Sequence, residues 1–219
     1  MRAAPDWSLY LVTDRGLAGS RPLAEVVAAA VRGGVTAVQL REKQCSTREF
    51  VELARSLKPL LTPLGVPLIV NDRVDVALAT GADGVHLGQS DMDPRDARSL
   101  LGPDAILGLS VETLEQAERA ATLDVAYLGV SPIFSTPTKT DTTSEWGLEG
   151  LAALRRVSKH TLVAIGGIHA SNAAQVIEAG ADGLAVVSAL CAAPDPEAAA
   201  RTLRHIINQA RREQVARDL

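Results

Sequence analysis

Cysteine is nearly absent from these 219 residues: Cys45 and Cys191 are the only two, too few for a disulfide scaffold. Neither stands in a CxxC pair or a Cys/His cluster of metal-ligand spacing, so a reducing, cytoplasmic setting is the expectation. No apolar run approaches the ~20 residues that span a bilayer. The opening MRAAPDWSLYLVTDR lacks the long apolar core of an export signal and meets a charge at Asp6, so neither export nor a membrane partner is expected. A cationic excess is lacking too. Against 26 Asp+Glu there are 22 Lys+Arg, a formal net charge of −4, which argues against a nucleic-acid partner. An anionic ligand is still allowed, provided its positive partners are local. Aromatics make up only 3% of the chain, yet 47% of it is apolar. A domain of this length buries roughly 70% of its unfolded surface, enough for one sizeable core.

What is present is a repeat. Strand-length apolar runs alternate with amphipathic stretches of helix length at 23–32, 47–61, 93–101 and 114–121, which implies a parallel sheet. The runs fall into two interleaved sets. LYLVTD (9–14), PLIVND (67–72), AILGLS (105–110) and TLVAIG (161–166) begin apolar and end in a small or polar group. GVTAVQL (34–40), GADGVHL (81–87), LDVAYLG (123–129) and GADGLAVV (180–187) are mostly entered through a helix-closing glycine. Four βαβα quarters give eight strands, and the spacing predicts a single (β/α)8 TIM barrel over 1–219, with a last helix over about 196–212. A doubly wound open sheet is the alternative. It would typically carry GxGxxG after the first strand, which is absent here.

Barrel active sites lie at the C-terminal ends of the strands, so strand ends become candidates. Alternation along the second strand points Gln39 and Arg41 the same way, with Lys43 two further on. A planar guanidinium and a point-like ammonium at that spacing suit a diphosphate. A solvated surface pair is the plainer reading. Asp72 and Asp91 close neighbouring strands, and two carboxylates brought together beside a phosphate site favour Mg²⁺ between them. Otherwise Asp72 caps a helix and Asp91 makes a turn before Pro94.

The segment 131–147 far exceeds the roughly 2–6 residues usual for a βα connection. Its Thr136-Pro137-Thr138-Lys139 run offers two hydroxyls and a cation to an anion; a disordered insertion is the alternative. Ile165-Gly166-Gly167-Ile168 and Val186-Val187-Ser188 end the last two strands, where barrels commonly bind phosphate through main-chain N–H groups. Tight packing at a turn is the plainer reading of those glycines. The glycines of the two GADG tetrapeptides lie at the opposite face and are expected to be structural. His86, near the mouth, could be a base, a substrate contact or a core residue, with a core position or one just behind the ligand-contacting residues favoured. His160 and His205 are expected at the surface, and Cys45 has no base placed to activate it.

Taken together, LYLVTDR, VQLREK, IVNDRVDVALATGADGVHLGQSD, GLS, GVSPIFSTPTKTD, AIGGI and GLAVVSAL resemble the thiamine phosphate synthase family over almost the whole chain. The resemblance implies a transferase of thiamine biosynthesis. Its reaction joins hydroxymethylpyrimidine diphosphate to thiazole phosphate, giving thiamine phosphate and pyrophosphate with Mg²⁺ as cofactor. It further implies that Gln39, Arg41, Lys43, Asn71, Ser110 and Lys139 hold the pyrimidine diphosphate, with Leu40 and Glu42 of the same LREK stretch counted among the contacts. Arg41, Lys43, Ser110 and Lys139 would be the catalytic set. Asp72 and Asp91 would ligate the metal, and Thr136, Pro137, Thr138, Gly167, Val187 and Ser188 would hold the thiazole phosphate.

Such a nucleophile needs no general base, because the thiazole nitrogen already carries a free lone pair. Two other readings compete: a thiazole tautomerase, which has no diphosphate to expel, and a catalytically silent phosphate-ligand binder. A homo-oligomer is left open.

Overall fold

The structure, a computed structural model, describes residues 5–135 and 145–217. Eight strands follow in chain order: β1 (Leu9–Val12), β2 (Ala37–Leu40), β3 (Leu68–Asn71), β4 (Gly84–Leu87), β5 (Ile106–Val111), β6 (Tyr127–Val130), β7 (Leu162–Ile165) and β8 (Gly183–Val186). Each pairs in parallel with the next, and β8 returns to β1, so the sheet closes as the repeat predicts. Around it run α1 (Arg15–Ala18), α2 (Leu23–Arg32), α3 (Thr47–Leu61), α4 (Val74–Thr80), α5 (Pro94–Leu101), α6 (Leu114–Ala120), α7 (Gly147–Val157), α8 (Ala173–Glu178), α9 (Ser188–Cys191) and α10 (Pro196–Arg217). The last helix runs to Arg217, past the expected end near Arg212, and one-turn α1 and α9 are additions to the predicted eight.

Side-chain alternation along the strands divides the apolar residues into two cores. Leu9, Leu11, Val38, Leu40, Leu68, Val70, Val85 and Leu87 face outward and pack against the helices, together with Phe50, Leu57 and Leu154. Tyr10, Val12, Ala37, Ile69, Tyr127, Val163 and Ala185 face inward and fill the cylinder, with Trp7 closing its N-terminal end. Both tyrosines and one of the two tryptophans of this aromatic-poor chain are therefore inside the barrel.

The GADG glycines are structural, as expected. A Cβ on Gly84 would lie 2.0 Å from the Ile106 carbonyl oxygen, and one on Gly183 would lie 1.8 Å from that of Trp7. Only a residue without a side chain lets these backbones approach. Helix starts follow their caps: Ser46 accepts from the Glu49 N–H ahead of α3, and Asp93 from the Arg95 N–H ahead of α5. Asp72 does not cap α4; the residue before that helix is Arg73, which makes no side-chain cap bond. That frees the Asp72 carboxylate for the barrel mouth. His160 is half-buried rather than on the surface, its Nε2 lying 3.1 Å from the Ala120 carbonyl oxygen, whereas His205 is exposed.

Candidate active site

A cavity of about 800 Å³ opens at the C-terminal rim, a size suited to a small-molecule ligand. Its lining includes Gln39, Arg41 and Lys43 from the end of β2, Asn71 and Asp72 after β3, Asp91 after β4 and Ser110 from β5. Across the mouth stand Gly166, Gly167, Val187 and Ser188 from the ends of β7 and β8. The strand-end residues singled out in the sequence thus meet around one space, apart from Leu40 and Glu42. Leu40 points outward and is fully buried against the helices, because it alternates with Gln39 and Arg41. Glu42 likewise turns away from the cavity and pairs with Arg15 at 2.7 Å. Thr136, Pro137, Thr138 and Lys139 lie outside the described residues.

The cationic side chains differ in what they meet. Among the described residues, no carboxylate pairs with the Arg41 guanidinium, while its N–H donates to the Thr13 hydroxyl at 3.1 Å and fixes the backbone. The Lys43 ammonium donates to Asp72 Oδ2 at 2.7 Å. Asn71 is buried, and its amide nitrogen has no partner among the described residues, although the side chain lines the cavity. A buried donor without an acceptor is costly, and an oxygen of a bound ligand would satisfy it.

A tight turn brings Asn71 and Asp72 to the same space. Asp72 is the single non-glycine residue with positive φ among those described, at 62°. The Asp72 N–H donates to the His86 carbonyl at 2.8 Å, and the Arg73 N–H to the Asn71 carbonyl at 2.7 Å. Consecutive strand residues would otherwise face opposite sides. Asp91 is fixed from the next loop, where the Gly88 N–H donates to its Oδ2 at 2.7 Å. Burial, followed by the adjacent Asp72 carboxylate, pushes the Asp91 carboxyl above its ordinary value, against the opposing Gly88 bond and Lys43 charge. Two hard-oxygen donors side by side fit a divalent cation such as Mg²⁺, which keeps water and ligand oxygens in its shell and needs few protein groups.

On the opposite side of the mouth, Gly166 and Gly167 have φ of 107° and 63°. Cβ atoms there would lie 2.7 Å from Pro132 Cβ and 2.8 Å from Phe134 Cβ. Tight packing at a turn therefore holds for these glycines, against the segment after β6, and both residues also line the cavity.

Tyr10, His86 and Tyr127 line the cavity floor, beneath Gln39 and Ser110. Of these floor residues, His86 lies where the sequence analysis expects it, whereas Tyr10 and Tyr127 were not foreseen. His86 is buried and its ring stacks on Tyr127 at 5.5 Å, in space kept open by Gly108 and Gly129. It bonds both Tyr127 and Ser110, a core position directly behind a cavity-lining residue. Gln89, after β4, donates to the Ser110 carbonyl at 2.6 Å. The readable signal for these residues was the inward register that Tyr10 shares with Val12, and the glycines set opposite Tyr127 and His86.

Comparison with known proteins gives this geometry a family. A family model described as thiamine monophosphate synthase matches residues 9–190. A thiamine-phosphate synthase of Albidiferax ferrireducens is 66% identical over 200 residues, covering 91% of each chain. Another, from Azorhizobium caulinodans, is 56% identical over 94% of this chain and 98% of that one. Among solved structures, thiamine phosphate pyrophosphorylase from Pyrococcus furiosus superposes with a TM-score of 0.86 at 40% identity, over 94% of this chain and 98% of its own. The matched span runs through all eight strands and every described residue lining the cavity, and on that ground the chain belongs to the thiamine monophosphate synthase family.

Proposed function

We propose that this cavity transfers the 4-amino-2-methylpyrimidin-5-ylmethyl group from its diphosphate to a thiazole phosphate, forming thiamine phosphate and releasing pyrophosphate. The observation that carries the reading is the convergence of Arg41, Lys43, Asp72 and Asp91 on one rim of the barrel, facing the Gly167 and Ser188 main chain across the mouth. A cation-rich side and a separate backbone-lined side suit two phosphorylated substrates. A tautomerase that expels no diphosphate has no use for that cation set and carboxylate pair.

The nucleophile is the thiazole nitrogen, so the barrier lies in departure of pyrophosphate. Negative charge then grows on the leaving oxygens and positive charge on the pyrimidine methylene. The Arg41 fork grips the diphosphate oxygens, and Lys43 places a point charge beside them. The Asn71 amide nitrogen, without a partner among the described residues, supplies a further donor. Fixed charges aimed at developing charge are among the largest contributions to catalysis, and losing one commonly costs ~10²-fold in rate. Gln39 and Ser110 orient the pyrimidine ring, Lys139 adds a cation from the segment after β6, and Thr136, Thr138, Gly167, Val187 and Ser188 receive the thiazole phosphate. Asp72 and Asp91 would hold Mg²⁺, whose contribution is to neutralise leaving-group charge.

The setting belongs to the same proposal: a cytoplasmic biosynthetic enzyme, in keeping with two free cysteines. Among the described residues, no helix is long and apolar enough to cross a membrane. The test is direct. Purified protein with both phosphorylated heterocycles is assayed with and without Mg²⁺ for thiamine phosphate and pyrophosphate. Equal amounts of both products, dependent on the metal, are expected; binding of the heterocycles without turnover would overturn the proposal.

A further inference from the structure

Beneath the cavity a continuous chain of polar side chains runs through the barrel interior, and its bonds have a direction. The Gln39 amide nitrogen donates to the Tyr10 hydroxyl at 3.0 Å. Tyr10 Oη lies 2.9 Å from Tyr127 Oη. Tyr127 Oη lies 2.9 Å from His86 Nδ1, and His86 Nε2 lies 2.8 Å from Ser110 Oγ. Both tyrosines are about 1% exposed, so each hydroxyl hydrogen requires a partner within the chain itself.

Satisfying those hydrogens fixes the order. With Gln39 donating into Tyr10, the Tyr10 hydrogen has the Tyr127 oxygen as its partner among the described residues. Tyr127, already accepting, sends its own hydrogen to His86 Nδ1. A nitrogen that accepts carries no hydrogen, so the neutral imidazole holds its proton on Nε2 and donates to Ser110 Oγ. The reverse order would leave the Tyr10 hydroxyl hydrogen buried with no acceptor, because its oxygen would then receive from both Gln39 and Tyr127. A buried unsatisfied donor costs more than the bond it replaces is worth.

We infer that Tyr10, Tyr127 and His86 form a one-way hydrogen-bond relay that donates to the Ser110 hydroxyl oxygen and so leaves the hydroxyl hydrogen to be presented to the cavity. His86 and Tyr127 are thereby positioning residues, and Ser110 meets its ligand as a donor. The ligand group that takes this hydrogen is therefore an acceptor, such as an unprotonated ring nitrogen. This assignment of polarity rests on the pyrimidine reading of the cavity; the relay itself rests only on the protein geometry. Glycine supports the arrangement. A Cβ on Gly108 would lie 2.2 Å from Tyr127 Cζ and one on Gly129 would lie 2.9 Å from His86 Cε1, so neighbouring strands reserve the space for these two rings.

Two measurements test it. The first uses the parent protein without substrate, labelled with ¹⁵N-histidine, and reads the His86 tautomer by long-range proton–nitrogen correlation. An unprotonated Nδ1 and a protonated Nε2 are expected. An Nδ1–H tautomer, which a Gln39 carbonyl turned toward Tyr10 would produce, or a doubly protonated ring would overturn the relay.

The second is a steady-state comparison. Tyr127→Phe keeps the stacked ring but removes the donor to His86, and is expected to raise KM for the pyrimidine diphosphate roughly fivefold to tenfold with kcat nearly unchanged, the size of one lost neutral hydrogen bond. Combined with Ser110→Ala, it should add nothing further. A fall in kcat alone, or full additivity with Ser110→Ala, would overturn the positioning role. If the parent makes no thiamine phosphate, the substrate assignment fails, and the tautomer still decides the relay.

Discussion

Lys43 and Asp72 are joined by a 2.7 Å ion pair at the rim of the cavity, and Asp72 reaches it from a left-handed backbone conformation, φ 62°. The conformation is itself informative, because aspartate adopts it at a cost and helix capping is not the reason. The turn places the Asp72 carboxylate between the Lys43 ammonium and Asp91. An ammonium there partly neutralises two adjacent carboxylates. In the proposed reaction a divalent cation would take over the carboxylates and Lys43 would turn to the leaving group.

Backbone and side chain at residue 72 are separable by substitution. Asp72→Gly relieves the positive φ while deleting the carboxylate, whereas Asp72→Ala deletes the same group and keeps the strain. Both variants should lose metal-dependent turnover. In urea unfolding, Asp72→Gly should be the more stable of the two by ~1 kcal/mol. Equal stabilities would mean that the turn relaxes and does not hold the carboxylate in place.

Asp91→Asn keeps the shape of the loop and removes one hard charged ligand. The expected outcome is a shift of the Mg²⁺ titration of turnover to at least about tenfold higher concentration, with the circular dichroism spectrum unchanged. A titration curve superimposable on that of the parent would remove Asp91 from the metal site.

Replacing Lys139 with alanine separates its role from thiazole binding, which is assigned to other groups. A drop in kcat of ~10²-fold with little change in KM for the thiazole phosphate is expected in steady-state assays. An unchanged kcat would exclude Lys139 from stabilising the leaving group.

Gly183 tests the packing of the barrel far from the chemistry. A Cβ there would overlap the Trp7 carbonyl, and the backbone of β8 would have to move away from the chain entering β1. Gly183→Ala should lower the stability by about 3 kcal/mol in urea unfolding. A variant as stable as the parent would show that the bottom of the barrel yields easily.

How much of this was legible in the sequence depends on which periodicity carried the information. Strand order, closure and the inward direction of Gln39, Arg41 and Lys43 follow from alternation, a local property of each run. Leu40 and Glu42 show the limit of reading a motif as a block: the same alternation that turns Gln39 inward turns Leu40 outward, and Glu42 finds Arg15 instead of the cavity. The relay from Gln39 through Tyr10, Tyr127 and His86 joins β2, β1, β6 and β4. Its contacts depend on stagger between distant strands, which no single run encodes. Asp72 was legible as a strand-end carboxylate, while its backbone conformation was not, since nothing in VNDR distinguishes a capping aspartate from a left-handed one.

A last prediction concerns alkaline pH. Cys191, the last residue of α9, is fully buried, and desolvation first, with the nearby Asp14 charge later, pushes its thiol from 9.0 up to about 11, against a backbone hydrogen bond at Asp14. Because the pKa is raised in the folded state, the unfolded chain releases this proton first. The stability tied to the neutral thiol is fully present below pH 9 and is lost progressively between pH 9 and 11. Two pH units correspond to at most about 2.7 kcal/mol. Tyr10 and Tyr127, also raised by burial, add a loss at higher pH that Cys191 does not control. Cys191→Ser retains a small side chain able to donate to the Val12 carbonyl, which the thiol faces at 3.7 Å, and does not titrate in this range. Urea unfolding of both proteins at several values from pH 7.5 to 10.5 should show the parent losing stability more steeply than the variant above pH 9. Parallel profiles would mean that the buried thiol ionises as readily in the folded barrel as in the unfolded chain.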